Sequence, residues 1–127
     1  MSTPCPKCGV IPNPGCLCTG GYKADHDKPD LSLLPPEWKA EVAKAMTYGA
    51  KKYTRYNYLT GMDWSRMRAA ADRHLDAFWR GEDIDPETGV NHLGHASACI
   101  LMLFQHYAHN LGTDNRWKGG KNADDKK

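Results

Sequence analysis

The sequence predicts an all-α protein, a small helical bundle carried behind a short cysteine-rich knuckle. Three observations predict it. Apolar residues recur at three- and four-residue spacing in three separate stretches, the mark of helices with one buried side. No stretch alternates at period two with β-branched residues, so no substantial sheet is expected. Four of the five cysteines crowd into residues 5–18, where Pro6, Pro12 and Pro14 exclude a helix. The 127 residues divide into a knuckle at 1–21, a helical domain at 22–112 and a flexible polar tail at 113–127.

The knuckle holds Cys5, Cys8, Cys16 and Cys18 as a C-x2-C pair and a C-x-C pair, with Gly9 and Gly15 beside the inner cysteines. Two close pairs on tight turns supply the tetrahedron of thiolates that zinc prefers, so a structural Zn2+ is expected here. Two local disulfides or four unrelated thiols are the alternatives, and a reducing cytosol argues against the first. A closed four-cysteine site stabilises rather than catalyses, yet it also presents a surface to a partner. Cys99, alone in an apolar helix, reads as a small core residue.

The first helix opens at Pro35-Pro36, since proline suits a first helical turn, and runs to about Tyr53. Its apolar positions are Trp38, Val42, Ala45, Met46 and Gly49. The second runs from Asp63, a good N-cap, to Arg80, where Gly81 stops it. Trp64, Met67, Ala71, Leu75, Phe78 and Trp79 form its apolar set. The third starts at Asn91 and ends at Gly112, with Leu93, Ala96, Ile100, Leu103, Phe104 and Tyr107 as its expected buried stripe. Three such helices make a thin core, so a homo-oligomer is expected.

Charge and length exclude several functions. A formal net charge of +2 gives no electrostatic case for nucleic acid. The longest apolar run, Ala96 to Phe104, is far shorter than a membrane span, and no signal peptide opens the chain, so a cytoplasmic location is expected.

The chemistry gathers around the join of the second and third helices. Residues 81–89, GEDIDPETG, carry Glu82, Asp83, Asp85 and Glu87, and the third helix begins with His92 and His95 on one face. A short loop makes the two helices antiparallel, which brings Arg73 and His74 to the same pole. Imidazole and carboxylate ligands together suit a hydrolytic Mn, Fe, Zn or Mg centre. The plainer alternative is a solvated turn beside packed histidines. His106 and His109, further along, read as peripheral. A basic group, Lys23, Lys28, Lys51, Lys52, Arg55, Arg66, Arg68 and Arg73, suits a polyphosphate, although Lys51 and Lys52 also complement the first helix's dipole. Tyr53, Tyr56, Tyr58 and Trp64 are placed either to stack on a base or to close the core.

These residues carry a resemblance. K23-A-D25-H-D-K28-P29, L-L-P-P-E at 33–37, G49-A-K-K-Y53, W64-S-R66, R73-H74, G81-E82-x-x-D85-P-E-T-G89 and H92-L-x-H95-A96 together resemble the N-terminal domain of the phage dATP/dGTP diphosphohydrolase family, a MazG-like group that includes MazZ enzymes. The likeness runs from about Tyr22 to Ala108, and the knuckle lies outside it. It implies a purine deoxynucleoside triphosphate as substrate, split to monophosphate and pyrophosphate with Mg2+ or Mn2+ in the host cytoplasm. In phages that replace adenine with 2-aminoadenine, such an enzyme supplies dGMP. Glu82, Asp85, His92, His95 and His74 carry over by motif, and their residue chemistry suits a catalytic set, the first four also expected to hold the catalytic metal. Lys23, Asp25, Lys28, Lys51, Lys52, Arg66 and Arg73 carry over as substrate-binding residues. The E-E-x-x-E helix of other MazG enzymes is absent, and His92-x-x-His95 stands where their E-x-x-D would align. Two other readings stay open: a non-catalytic zinc-knuckle module for nucleic acid or a host protein, and a hydrolase of another phosphate ester.

Overall fold

The structure, a computed structural model, describes Ala24 and residues 26–119. Cys5, Cys8, Cys16, Cys18, Lys23 and Asp25 lie outside the described residues, as does the chain from 120 onward. The chain divides into two compact units, Met1–Leu33 and Leu34–Lys127. In the first, the described part ends in a single 3-10 turn, Leu31–Leu33. Asp30 starts that turn by accepting hydrogen bonds from the Ser32 backbone and hydroxyl. Lys28 is exposed there.

The second unit holds three helices, α1 (Pro36–Lys52), α2 (Trp64–Trp79) and α3 (His92–His109), with a 3-10 turn at Asn57–Leu59 between the first two. No strand occurs among the described residues, only the isolated bridges Asp63–Thr113 and Ile84–Asn91. Helix α3 is central and packs against both α1 and α2. Pairing of Trp64 with Tyr107 at one end and of His74 with His92 at the other fixes α2 and α3 as antiparallel.

Each helix ends for a local reason. Pro36 fills the first turn of α1, and the Tyr53 amide closes its end on the Gly49 carbonyl at 2.9 Å. Helix α2 closes in a Schellman motif: the Glu82 amide donates to the Ala77 carbonyl and the Gly81 amide to that of Phe78. Gly81 takes φ +102°, which a residue with a Cβ rarely adopts. Asn91 caps α3, its side chain accepting from the Leu93 amide at 2.7 Å. At the start of α2, Asp63 occupies the cap position without a side-chain cap bond. The chain beyond α3 serves instead: Thr113 accepts from the Trp64 amide and Asn115 Oδ1 from the Ser65 amide. The stretch expected to begin a loose tail at 113 therefore starts as hydrogen-bonded chain.

The core is built from small residues. Val42, Ala45, Val90 and Ala98 cluster between α1 and α3, with Met46 and Leu101 against them. Trp64, Met67, Ala71 and Ala77 form the buried side of α2. Small residues let helices approach closely, and Gly94 does so most: a Cβ there would stand 2.7 Å from Glu41 Cγ and 2.9 Å from the Glu41 carbonyl oxygen.

The buried stripe expected on α3 needs correction. Of its six residues only Ala96 is buried, while Leu93, Ile100, Phe104 and Tyr107 are 40–63% exposed. The inward face carries His92, His95, Ala98, Cys99 and His106. Leu75 and Trp79 of α2 and Trp38 of α1, also assigned inward, are exposed as well. His106 is corrected in the opposite sense. It is fully buried, its Nδ1 pairing with the Met102 carbonyl at 2.9 Å, and Nε2 has no partner. Cys99 is buried as expected, and burial pushes its thiol up.

Candidate metal and nucleotide site

The join between α2 and α3 folds on itself before it presents any side chain. The Asp85 amide donates to the Val90 carbonyl, the Gly89 amide donates back to that of Asp85, and Asp85 Oδ1 accepts from the Glu87 amide. Gly89, at φ +74°, makes the reversal possible. This tight turn returns the chain to Asn91, so that α3 starts beside the end of α2. From α1, Glu41 Oε2 accepts from the Asn91 amide at 2.8 Å, and that bond holds the Glu41 carboxyl below its usual range.

Inside this frame three imidazoles meet. His74 Nδ1 lies 2.9 Å from His92 Nδ1, and the His74 ring stacks on His95 with centroids 4.5 Å apart. His92 Nε2 lies 2.8 Å from Glu82 Oε1. A carboxylate only accepts, so the proton sits on Nε2 and the Nδ1 lone pair of His92 turns toward His74. His95 Nε2 pairs with Thr88 Oγ1 at 2.6 Å and lies 3.7 Å from Asp85 Oδ2. Burial pushes the His74 imidazole below its usual value, and the neighbouring His95 and His92 add to the effect. Burial lowers His95 too, with Asp85 opposing.

Ligand atoms of His74, Asp85 and His92 lie within 4.8 Å of one another. Two Nδ1 atoms 2.9 Å apart either share a proton or share a cation. Nitrogens about 2.0–2.1 Å from one metal and at right angles to each other are separated by about 2.9 Å, so the pair fits adjacent ligands of a divalent ion. Imidazoles of His74 and His95 that resist protonation, and an acceptor-only carboxylate partner behind His92, fit the same role.

His74 and His95 stand at the edge of a cleft of about 480 Å3. His74, His95, Asp85 and Glu87 line one side, and Lys52, Arg55 and Arg73 bring positive charge to it. Tyr48 donates to Glu87 Oε2 at 3.2 Å across it. Tyr53, Asn57 and Tyr58 form the wall after α1.

The structure thus brings together His74, Glu82, Asp85, His92, His95, Lys52 and Arg73. Lys51 and Arg66 do not line the cleft, and Arg66 borders a separate, smaller hollow beside Arg73. Trp64 is buried at the far end of α3, its Nε1 donating to the Leu111 carbonyl, and does not line the cleft. Sequence reasoning missed Glu41 and the positioning of His95 by Thr88. No local signal marks Glu41, since its partner is fifty residues away. For Thr88 the signal was present, a hydroxyl in a Gly-closed turn facing the helix it precedes.

Fold and site define a helical protein with a histidine–carboxylate centre beside a cationic cleft. Residues 19–116 match the family described as dATP/dGTP diphosphohydrolase, N-terminal, and the chain belongs to that family. A protein of Salmonella phage PMBT28 named dATP/dGTP diphosphohydrolase is 36% identical over 84 residues, which is 66% of this chain and 29% of that protein. The chain spans less than a third of the length of that relative. No solved structure is significantly similar to this chain. No helix among the described residues is long and apolar enough to cross a membrane.

Proposed function

We propose that the chain is a metal-dependent nucleotide pyrophosphohydrolase that converts dGTP or dATP to the monophosphate and pyrophosphate in phage deoxynucleotide metabolism. One observation carries the reading: the donor atoms of His74, Asp85 and His92 converge within 4.8 Å, beside a cleft lined by Lys52, Arg55 and Arg73. The name of the phage relative supports the substrate class. Mg2+ or Mn2+ held there would make hydroxide available near neutral pH and offset charge on the triphosphate.

The residues divide the remaining work. Lys52, Arg55 and Arg73 hold phosphate oxygens, where an arginine fork gives bidentate bonding. Glu82 fixes the tautomer of His92, and Thr88 fixes the ring of His95. His95, neutral near pH 7, is placed to take a proton from the attacking water. Tyr53 and Tyr58 offer flat surface to a purine. Attack at the α-phosphorus expels pyrophosphate. Lys23, Asp25 and Lys28 join the nucleotide-binding set by motif alone, and a structural zinc on Cys5, Cys8, Cys16 and Cys18 completes the reading.

The test is incubation of the purified chain with each dNTP and NTP, with Mg2+ or Mn2+, resolving products by chromatography. Monophosphate and pyrophosphate from dGTP or dATP, lost in His92→Ala at unchanged helicity, is the expected result. A folded, metal-loaded chain that turns over no nucleotide would instead favour a non-catalytic binding module.

A further inference from the structure

The outward side of α3 is apolar along its length. Leu93, Ile100, Phe104 and Tyr107 form one stripe over four turns, exposed by 40, 56, 59 and 63%. Trp38, 44% exposed, adjoins it from α1, its Nε1 donating to Ser97 Oγ at 3.1 Å. On the other flank Arg68 borders a groove of about 480 Å3 with Ile100, Phe104, Tyr107 and Trp117. Leu75 and Trp79 continue the helical row of Arg68 and are 42 and 87% exposed.

From these observations we infer that this face is covered by the same face of a second copy, with α3 against α3 about a twofold axis. Two arguments choose that occupant. First, α3 contains no Asp, Glu, Lys or Arg between His92 and His109, so the stripe meets its own copy without like-charge repulsion. At its edge the charges of Arg68 and Asp72 pair with each other at 3.4 Å and make no demand on a partner. A partner recognised by charge would find no counter-charge on the helix. Second, the seven apolar side chains named on α1, α2 and α3 leave on the order of 800 Å2 uncovered per copy, which is the standard contribution of one partner to a stable interface. Apolar patches of that size are uncommon on monomers. His92, His95 and the cleft lie on the opposite side of α3, so the pairing leaves the candidate site open.

Sedimentation equilibrium of the full chain at micromolar concentration tests this. The expected mass is twice 14.2 kDa. Ile100→Glu and Phe104→Glu are each expected to raise the dissociation constant at least about a hundredfold, yielding monomers with unchanged helical circular dichroism. Should a glutamate variant not fold, Ile100→Ser, a milder change at an exposed position, is expected to weaken the dimer about tenfold or more. A wild-type chain that stays monomeric would overturn the proposal, whether its own residues or another protein cover the face. So would a dimer that these substitutions leave intact.

Discussion

The two sides of α3 carry opposite kinds of residue. Inward it sets His92, His95, Ala98, Cys99 and His106, small or polar residues that a conventional core would not choose. Outward it sets Leu93, Ile100, Phe104 and Tyr107. The difference teaches that hydrophobicity alone does not orient this helix. The three imidazoles of α3 stay inside because each has a partner: Glu82 for His92, Thr88 for His95 and the Met102 carbonyl for His106. Small neighbours, Gly94 above all, let α1 come close enough for Glu41 to hold the Asn91 amide. The large apolar residues are what remains for the outside.

The strongest way to break the contrast is on the inner face. His92→Ala is expected to lower turnover of dGTP or dATP about a thousandfold, since metal assistance supplies several kcal/mol at the transition state. Circular dichroism should stay helical, and a smaller than tenfold loss in a steady-state assay would remove His92 from the centre. Glu82→Gln keeps the shape but gives up the carboxylate behind His92, so metal affinity should fall about 10- to 100-fold. Activity recovered at raised Mn2+ would show the effect to be one of affinity.

Gly94→Ala probes the closeness of α1 and α3. Intrinsic helix propensity favours alanine by up to about 1 kcal/mol. The overlap with Glu41 is expected to outweigh it, for a net loss of about 1–3 kcal/mol and a lower thermal midpoint. A raised midpoint would show that the helices are not held so tightly.

A gentler probe is pH. His74 and His95 resist protonation in the folded chain. As pH falls through the unfolded value near 6.5, the unfolded chain takes up protons that the folded one does not, so this contribution destabilises. Stability of the metal-free protein should therefore rise with pH toward 7 and then level, and His74→Gln should flatten the slope in urea titrations at several pH values. The smallest effect belongs to the outer face: Ile100→Ser should leave turnover per protomer within about twofold while changing association, because exposed substitutions shift protomer stability by only about 0.5 kcal/mol.

How far the sequence could be read varies from element to element. It settled the three helices to within a few residues, because proline, asparagine and glycine at their ends act through local hydrogen bonds and φ preferences. It also settled that Glu82, Asp85, His92, His95 and His74 share one pole, since a short loop leaves two helices no other course. It did not settle which side of α3 is inside. Periodicity marks a face by its hydrophobicity, and here the polar face was buried with partners on α2 and the 81–91 turn that no periodicity shows. Nor did it reveal Glu41, the Thr88 bond to His95, or the Nδ1-to-Nδ1 approach of His74 and His92. Those belong to the tertiary structure, because each depends on where a side chain from one element meets another, and only packing fixes that meeting.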